Sequence, residues 1–284
     1  MSDVLKRVAP IGEERDREIL KDAATYAYAE RPEGAVQAHV YFPEEGRESA
    51  EPRPAVVFFH GGFWDTPTPT QFVPHCLHFA SRGAVTITAE TRSEKVHGTG
   101  AREAIDDARD LIRWVRDNAG DLGVDPSRVV AGGAAGGALL ALLTTLPKDK
   151  KLDIPNSTDC RAQALILFSS LVNPLSVPKA LGRFRDYKQA RSLSPLRRVR
   201  RKLPPMIAFH GKSDRITPFA DVEKFRRKLR FWRNRFDLID FERADHSFFN
   251  FNVSHDRFEA TIGAADRFLV DIGLLQEDPD LDFH

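Results

Sequence analysis

The chain has 284 residues, 42% of them hydrophobic, 29% charged and 10% aromatic, which is too apolar for a disordered polymer and too charged for a protein built inside a membrane. Lys and Arg number 42 against 41 Asp and Glu, and the resulting net charge of +1 argues against a protein dedicated to nucleic acid or an anionic membrane. No run approaches 18 apolar residues, the N-terminus lacks the apolar core of a signal peptide, and Cys76 and Cys160 are too few for a disulfide framework, so a cytoplasmic globular protein with two packed thiols is expected.

In chain order, an N-terminal segment (1–34) precedes a first strand at 35–42, and a second follows at 55–59 (AVVFF), where a continuous apolar run suits a strand covered on both faces. A third strand is expected at 84–89. Residues 103–119 then place Ala104, Ala108, Leu111, Ile112 and Val115 at helical spacing, with charges elsewhere. A strand at 128–131 leads into 136–146, apolar nearly all round and so a helix buried in the interior. Strands at 162–168, 206–209 and 236–241 follow, with helices at 219–235 and 259–272. Strands alternating with helices predict an α/β class fold, a mostly parallel sheet with helices on both faces. With no repeat or linker, one domain is expected over 35–274, with 173–204 as a small cap and 275–284 as an acidic C-terminal tail.

Three segments that follow strands carry chemistry. His60-Gly61-Gly62-Phe63-Trp64 places two glycines at a strand's end, where the chain turns sharply and free N–H groups point at a ligand, as an oxyanion hole requires. Gly132-Gly133-Ala134-Ala135-Gly136-Gly137 joins a strand to the buried helix through small residues, the layout of a nucleophile elbow; the spacing of a phosphate-binding glycine loop is not met. His210-Gly211-Lys212-Ser213-Asp214 and Ala244-Asp245-His246-Ser247-Phe248 each follow a late strand, so Asp214 and His246 can meet at the carboxyl edge of the sheet.

In that order, HGGFW, GGAAGG, HGKSD and DHSFF, the chain resembles an α/β hydrolase over roughly residues 35–270. The branch is the one with an HGG-type oxyanion loop: hormone-sensitive-lipase-like esterases, bacterial carbohydrate esterases and arylformamidases. Asp125-Pro126-Ser127-Arg128, Asp107, Ser194-Pro195 and Pro204-Pro205 add supporting matches. The resemblance implies that Asp214 orients His246, that His246 is the general base, and that the N–H groups of Gly61, Gly62 and Ala135 form the oxyanion hole. It also puts the nucleophilic serine at Ala134, where no nucleophile is present. Two origins stay open, a serine exchanged for alanine or a protein that has lost its nucleophile. Either way the chain is expected to be nearly inactive on acyl esters, and Ala134→Ser to make an esterase.

The substrate implied is a short-chain acyl or acetylated carbohydrate ester, with an arylformamide-type amide second. The rival class is a non-catalytic small-molecule binding or sensor protein. Direct activation of water by His246 is a third reading. No metal or cofactor is expected. Phe63 and Trp64, with Phe248 and Phe249, are candidates for an aromatic-walled pocket shaped by 173–200. His60 reads as a support for the glycine loop, Asp245 as a loop hydrogen-bonding residue, and His75 and His78 as packing or surface residues rather than metal ligands.

The near-zero net charge is a cancellation. Residues 176–235 carry 19 Lys and Arg against 4 Asp and Glu, a local net of +15 that leaves −14 for the rest. The spacing around Val222, Phe225, Leu229 and Trp232 reads as the solvated face of one loop and one helix, open to pairing with acidic segments or a second copy, in preference to an anionic-ligand or nucleic-acid patch.

Overall fold

The computed structural model describes residues 13–44, 51–146 and 159–278, so the first twelve residues and most of the expected acidic tail (279–284) lie outside the described residues. Eight strands form one sheet: β1 (Ala24–Ala29), β2 (Val36–Tyr41), β3 (Arg53–Phe59), β4 (Val85–Ala89), β5 (Val124–Ala134), β6 (Ala164–Phe168), β7 (Met206–Gly211) and β8 (Phe236–Phe241). Their order is β1-β2-β4-β3-β5-β6-β7-β8, antiparallel from β1 to β4 and parallel from there on.

Ten helices accompany the sheet among the described residues: α1 (Glu13–Ile19), α2 (Val73–Ser81), α3 (Glu94–His97), α4 (Ala101–Asp117), α5 (Ala119–Leu122), α6 (Gly136–Thr145), α7 (Pro178–Leu181), α8 (Tyr187–Ser192), α9 (Phe219–Phe231) and α10 (His255–Asp271). Helices α4, α6 and α9 bury their apolar sides in one core cluster, and α2 and α10 in a second on the opposite face. Sandwiched between them, β3, β4 and β6 are buried at every position, which is why they read as unbroken apolar runs. No helix among the described residues is long and apolar enough to cross a membrane.

Two elements depart from the sequence reading. β1 lies in the stretch expected to precede the domain, yet it pairs with β2 from Ala24 to Ala29. From Ala24 to Ala27 it alternates between half-buried and exposed positions, as an edge strand does, and Tyr28 is buried. On α9, Val222, Phe225 and Leu229 are buried as expected, but the helix ends at Phe231, and Trp232 beyond it is exposed. Both cysteines are buried free thiols.

His75 on α2 is fully buried, edge-on to Phe168 and Phe258, and neither ring nitrogen has a hydrogen-bond partner among the described residues. Burial, reinforced by nearby His78, pushes its pKa down to about 3. The unfolded chain protonates this ring near its ordinary pKa of about 6.5, so the folded state loses stability as pH falls from about 6.5 to about 3. His75→Phe removes both the titration and two unsatisfied polar atoms. It is expected to raise the unfolding free energy by about 1 kcal/mol at pH 7 and by more at pH 5, measured by urea denaturation.

Candidate active site

The loops that follow β3, β5, β7 and β8 converge at the carboxyl edge of the parallel strands. There they border a cleft of about 640 Å³ whose lining includes Gly61, Gly62, Gln71, Ala134, His246 and Phe249.

Asp214 and His246, 32 residues apart, meet in this edge: His246 Nδ1 lies 2.8 Å from Asp214 Oδ2. The carboxylate side chain is fully buried and accepts from the Ile216 and Thr217 amides at 2.8 and 2.9 Å. The Thr217 hydroxyl lies 2.8 Å from Oδ2, and His210 Nε2 lies 3.3 Å from the same oxygen. Because the Ser170 amide donates to His210 Nδ1, the proton of this second imidazole sits on Nε2, facing Asp214 and the Thr217 carbonyl. Burial opposes the charge of Asp214, but the hydrogen bonds from His210, His246 and the Thr217 backbone outweigh it and hold the carboxyl below its usual range. With Nδ1–H engaged by a carboxylate, Nε2 is left as the basic nitrogen of His246. The Ser169 hydroxyl donates to the His246 carbonyl at 2.7 Å and pins this loop.

The elbow stands one residue later than expected. Ala135, not Ala134, carries the strained backbone, φ 48° and ψ −114°, and α6 starts at the next residue. Ala134 still belongs to β5, pairs with Phe168, and turns its methyl into the core on the α2 and α10 side and toward the cleft. The small residues that let strand and helix approach are Gly133 and Gly137, two positions either side of Ala135. A Cβ on Gly133 would lie 2.6 Å from the Gly137 carbonyl carbon, and one on Gly137 would lie 2.1 Å from the Phe59 oxygen and 2.3 Å from that of His60. Gly133-Ala134-Ala135-Gly136-Gly137 is therefore the strand-turn-helix unit, with Ala135 at its tip. Gly137→Ala would push the glycine loop off the helix, and a loss of about 3 kcal/mol or more is expected in urea denaturation.

The amides expected to form an oxyanion hole are engaged within the chain. Gly61 N–H donates to Gln71 Oε1 at 2.6 Å, and Ala135 N–H to the Phe168 carbonyl at 3.1 Å. Gly136 N–H, the donor that follows the tip, is taken by the Gly62 carbonyl at 3.1 Å. Of the three amides predicted, Gly62 N–H alone has no acceptor among the described residues.

Phe63 and Trp64 do not line the cleft. Both are buried in the main core, and Trp64 sits edge-on to Phe184 at 5.7 Å, so the segment 173–204 covers Trp64 rather than shaping the cleft. Phe248 is buried as well; Phe249 does line the cleft. The other walls are 65–74, 247–252 and, unforeseen from sequence, Arg15 and Ile19 around α1. His60 Nδ1 lies 2.8 Å from the Gly61 carbonyl and 3.1 Å from the Thr68 hydroxyl, a loop support. Asp245 accepts from the Ser247 amide, and His78 pairs with Asp266.

The sequence matches the BD-FAE family over residues 39–229. Carboxylesterase NlhH of Mycobacterium tuberculosis is 35% identical over 120 residues, 40% of this chain and 35% of NlhH. Esterase LipC of the same organism is 26% identical over 219 residues, 70% of this chain and 54% of LipC. The matches thus span about a third to a half of the length of these relatives. Among solved structures, the propionate-bound thermophilic esterase Est2 of the Planctomycetes species Thermogutta terrifontis superposes with a TM-score of 0.83 at 33% identity, covering 91% of this chain and 97% of Est2. The same esterase phosphonylated by sarin gives 0.84 at 33% identity, over 91% and 98% of the two chains.

Proposed function

We propose, for a chain that belongs to the BD-FAE family and has the α/β-hydrolase fold of the hormone-sensitive-lipase-like esterases, that the cleft is the acyl-binding site of a carboxylic ester hydrolase lacking its nucleophile. The observation that carries this reading is the Asp214–His246 pair, 2.8 Å apart and held by a buried network at the edge where the elbow presents an alanine. Asp214 fixes the Nδ1–H tautomer and stabilises the imidazolium; His246 Nε2 is the general base. Support comes from relatives named as esterases and from an Est2 structure bearing a phosphonyl group. A short-chain acyl ester is the substrate class.

An acyl-enzyme needs a side-chain oxygen or sulfur at the tip, and Ala135 has neither. Loss of one triad member typically costs about 10⁴–10⁶ in turnover, so the chain as written is expected to be nearly inactive on p-nitrophenyl acetate. Serine at the tip is the test, taken up below.

A second reading, a small-molecule binding protein, is favoured by one observation: the Gly61, Ala135 and Gly136 amides are all satisfied internally. A saturable ligand that even a serine at the tip leaves unhydrolysed would select it over the first.

A further inference from the structure

The amide of Gly61, one of the three that the resemblance assigns to an oxyanion hole, already has an acceptor within the chain. Gln71, in the 3-10 turn Pro69–Phe72 that leads into α2 and half-buried in the cleft wall, puts Oε1 2.6 Å from Gly61 N. Its Nε2 donates to Asn250 Oδ1 at 3.0 Å, and Asn250 Nδ2 donates to the Ser247 carbonyl at 3.1 Å. Both carboxamides have a settled orientation, because each end of the chain of bonds is a backbone group: Gly61 N–H can only donate, and Ser247 C=O can only accept. The result is a polar bridge across the cleft, from the glycine loop to the loop that carries His246.

We propose that Gln71 is a specificity-determining residue that acts as a built-in acceptor on the Gly61 amide, so that a ligand oxygen reaches that amide by displacing the Gln71 carboxamide. The proposal rests on the reading of the cleft as an acyl site. A planar sp² oxygen at 2.6 Å on a backbone N–H is what a bound carbonyl or carboxylate would offer. The displaced side chain keeps a fallback, since Asn250 holds Nε2, and the cost of entry is the exchange of one hydrogen bond. A ligand without an acceptor gains nothing from the exchange and stays out of this part of the cleft.

Binding of propionate, a carboxylate probe that requires no turnover, separates this proposal from the esterase reading. Affinities would be measured by NMR titration of the chain as written and of Gln71→Ala, Asn250→Ala and Gln71→Glu, with thermal melts to confirm folding. Gln71→Ala is expected to tighten propionate by about 3–10-fold, the value of one ordinary hydrogen bond. Asn250→Ala, which frees only the far end of the bridge, should tighten it by less, and Gln71→Glu should weaken it, because a carboxylate holds Gly61 N–H more strongly and repels the anion. Opposite signs for Ala and Glu are not expected of a residue that merely supports the loop, where both substitutions weaken binding. Equal or weaker binding by Gln71→Ala overturns the proposal; if that variant does not fold, equal or weaker binding by Asn250→Ala does so. A serine variant without esterase activity would overturn the function proposed above and leave this series readable.

Discussion

Ala135→Ser is expected to raise p-nitrophenyl acetate hydrolysis by about 10³-fold or more over the chain as written, while Ala134→Ser leaves the rate where it is. The difference comes from the backbone. At the tip, φ 48° and ψ −114° lift the side chain out of the strand at the point where α6 begins, and alanine already bears this strain, so serine adds none. At 134 the side chain continues the alternation of β5 and lies with Val130 and Phe168 in the core beneath α2 and α10. A hydroxyl there touches the cleft but has no turn to present it. Gain by Ala134→Ser alone would contradict the placement of the elbow; gain by neither would contradict the esterase reading.

In the Ala135→Ser background, His246→Ala is expected to return the rate to that of the parent, and Asp214→Asn to remove most of the gain. The asparagine cannot replace the aspartate, whose two oxygens accept from the Ile216 and Thr217 amides and face His210 and His246 as well. An Nδ2 group in that ring of donors leaves at least one of them unpaired and buried. The same network carries a pH signature. Since the folded carboxyl titrates below its unfolded value of about 3.9, its stabilising contribution is complete above that pH and fades as pH falls through the lower folded value. The stability gap between the parent and Asp214→Asn should therefore narrow below about pH 4 in urea denaturation.

What the sequence made legible, and what it did not, has a physical pattern. Strands buried on both faces, AVVFF and ALILF above all, announced themselves as apolar runs, and the order of the four motifs placed Asp214 and His246 together although 32 residues separate them. β1 went unread because ATYAYA, a short edge strand with exposed Thr25 and Ala27, has no continuous run of large apolar residues. The elbow was misplaced by one residue for a sharper reason. In Gly-Gly-Ala-Ala-Gly-Gly both Gly132-x-Ala134-x-Gly136 and Gly133-x-Ala135-x-Gly137 satisfy a small-x-tip-x-small pattern, and no nucleophile breaks the tie; the torsion at Ala135 and the Gly133–Gly137 contact do. Ser169 and Gln71 were invisible for want of any local signal, since they matter through partners 77 and 10 residues away. Phe63 and Trp64 looked like pocket walls because they adjoin the glycine loop, but the turn at Trp64, φ 59°, carries the indole inward onto Phe184.

The central claim is that the Asp214–His246 pair belongs to an esterase site whose elbow carries alanine in place of the nucleophile. Intact-mass spectrometry after exposure to diisopropyl fluorophosphate tests it most directly. Ala135→Ser should gain a single phosphoryl adduct, located by peptide mapping to position 135, while the parent and the Ala135→Ser, His246→Ala double variant gain none. An Ala135→Ser protein that stays unmodified, or that carries the adduct at another residue, would contradict the account.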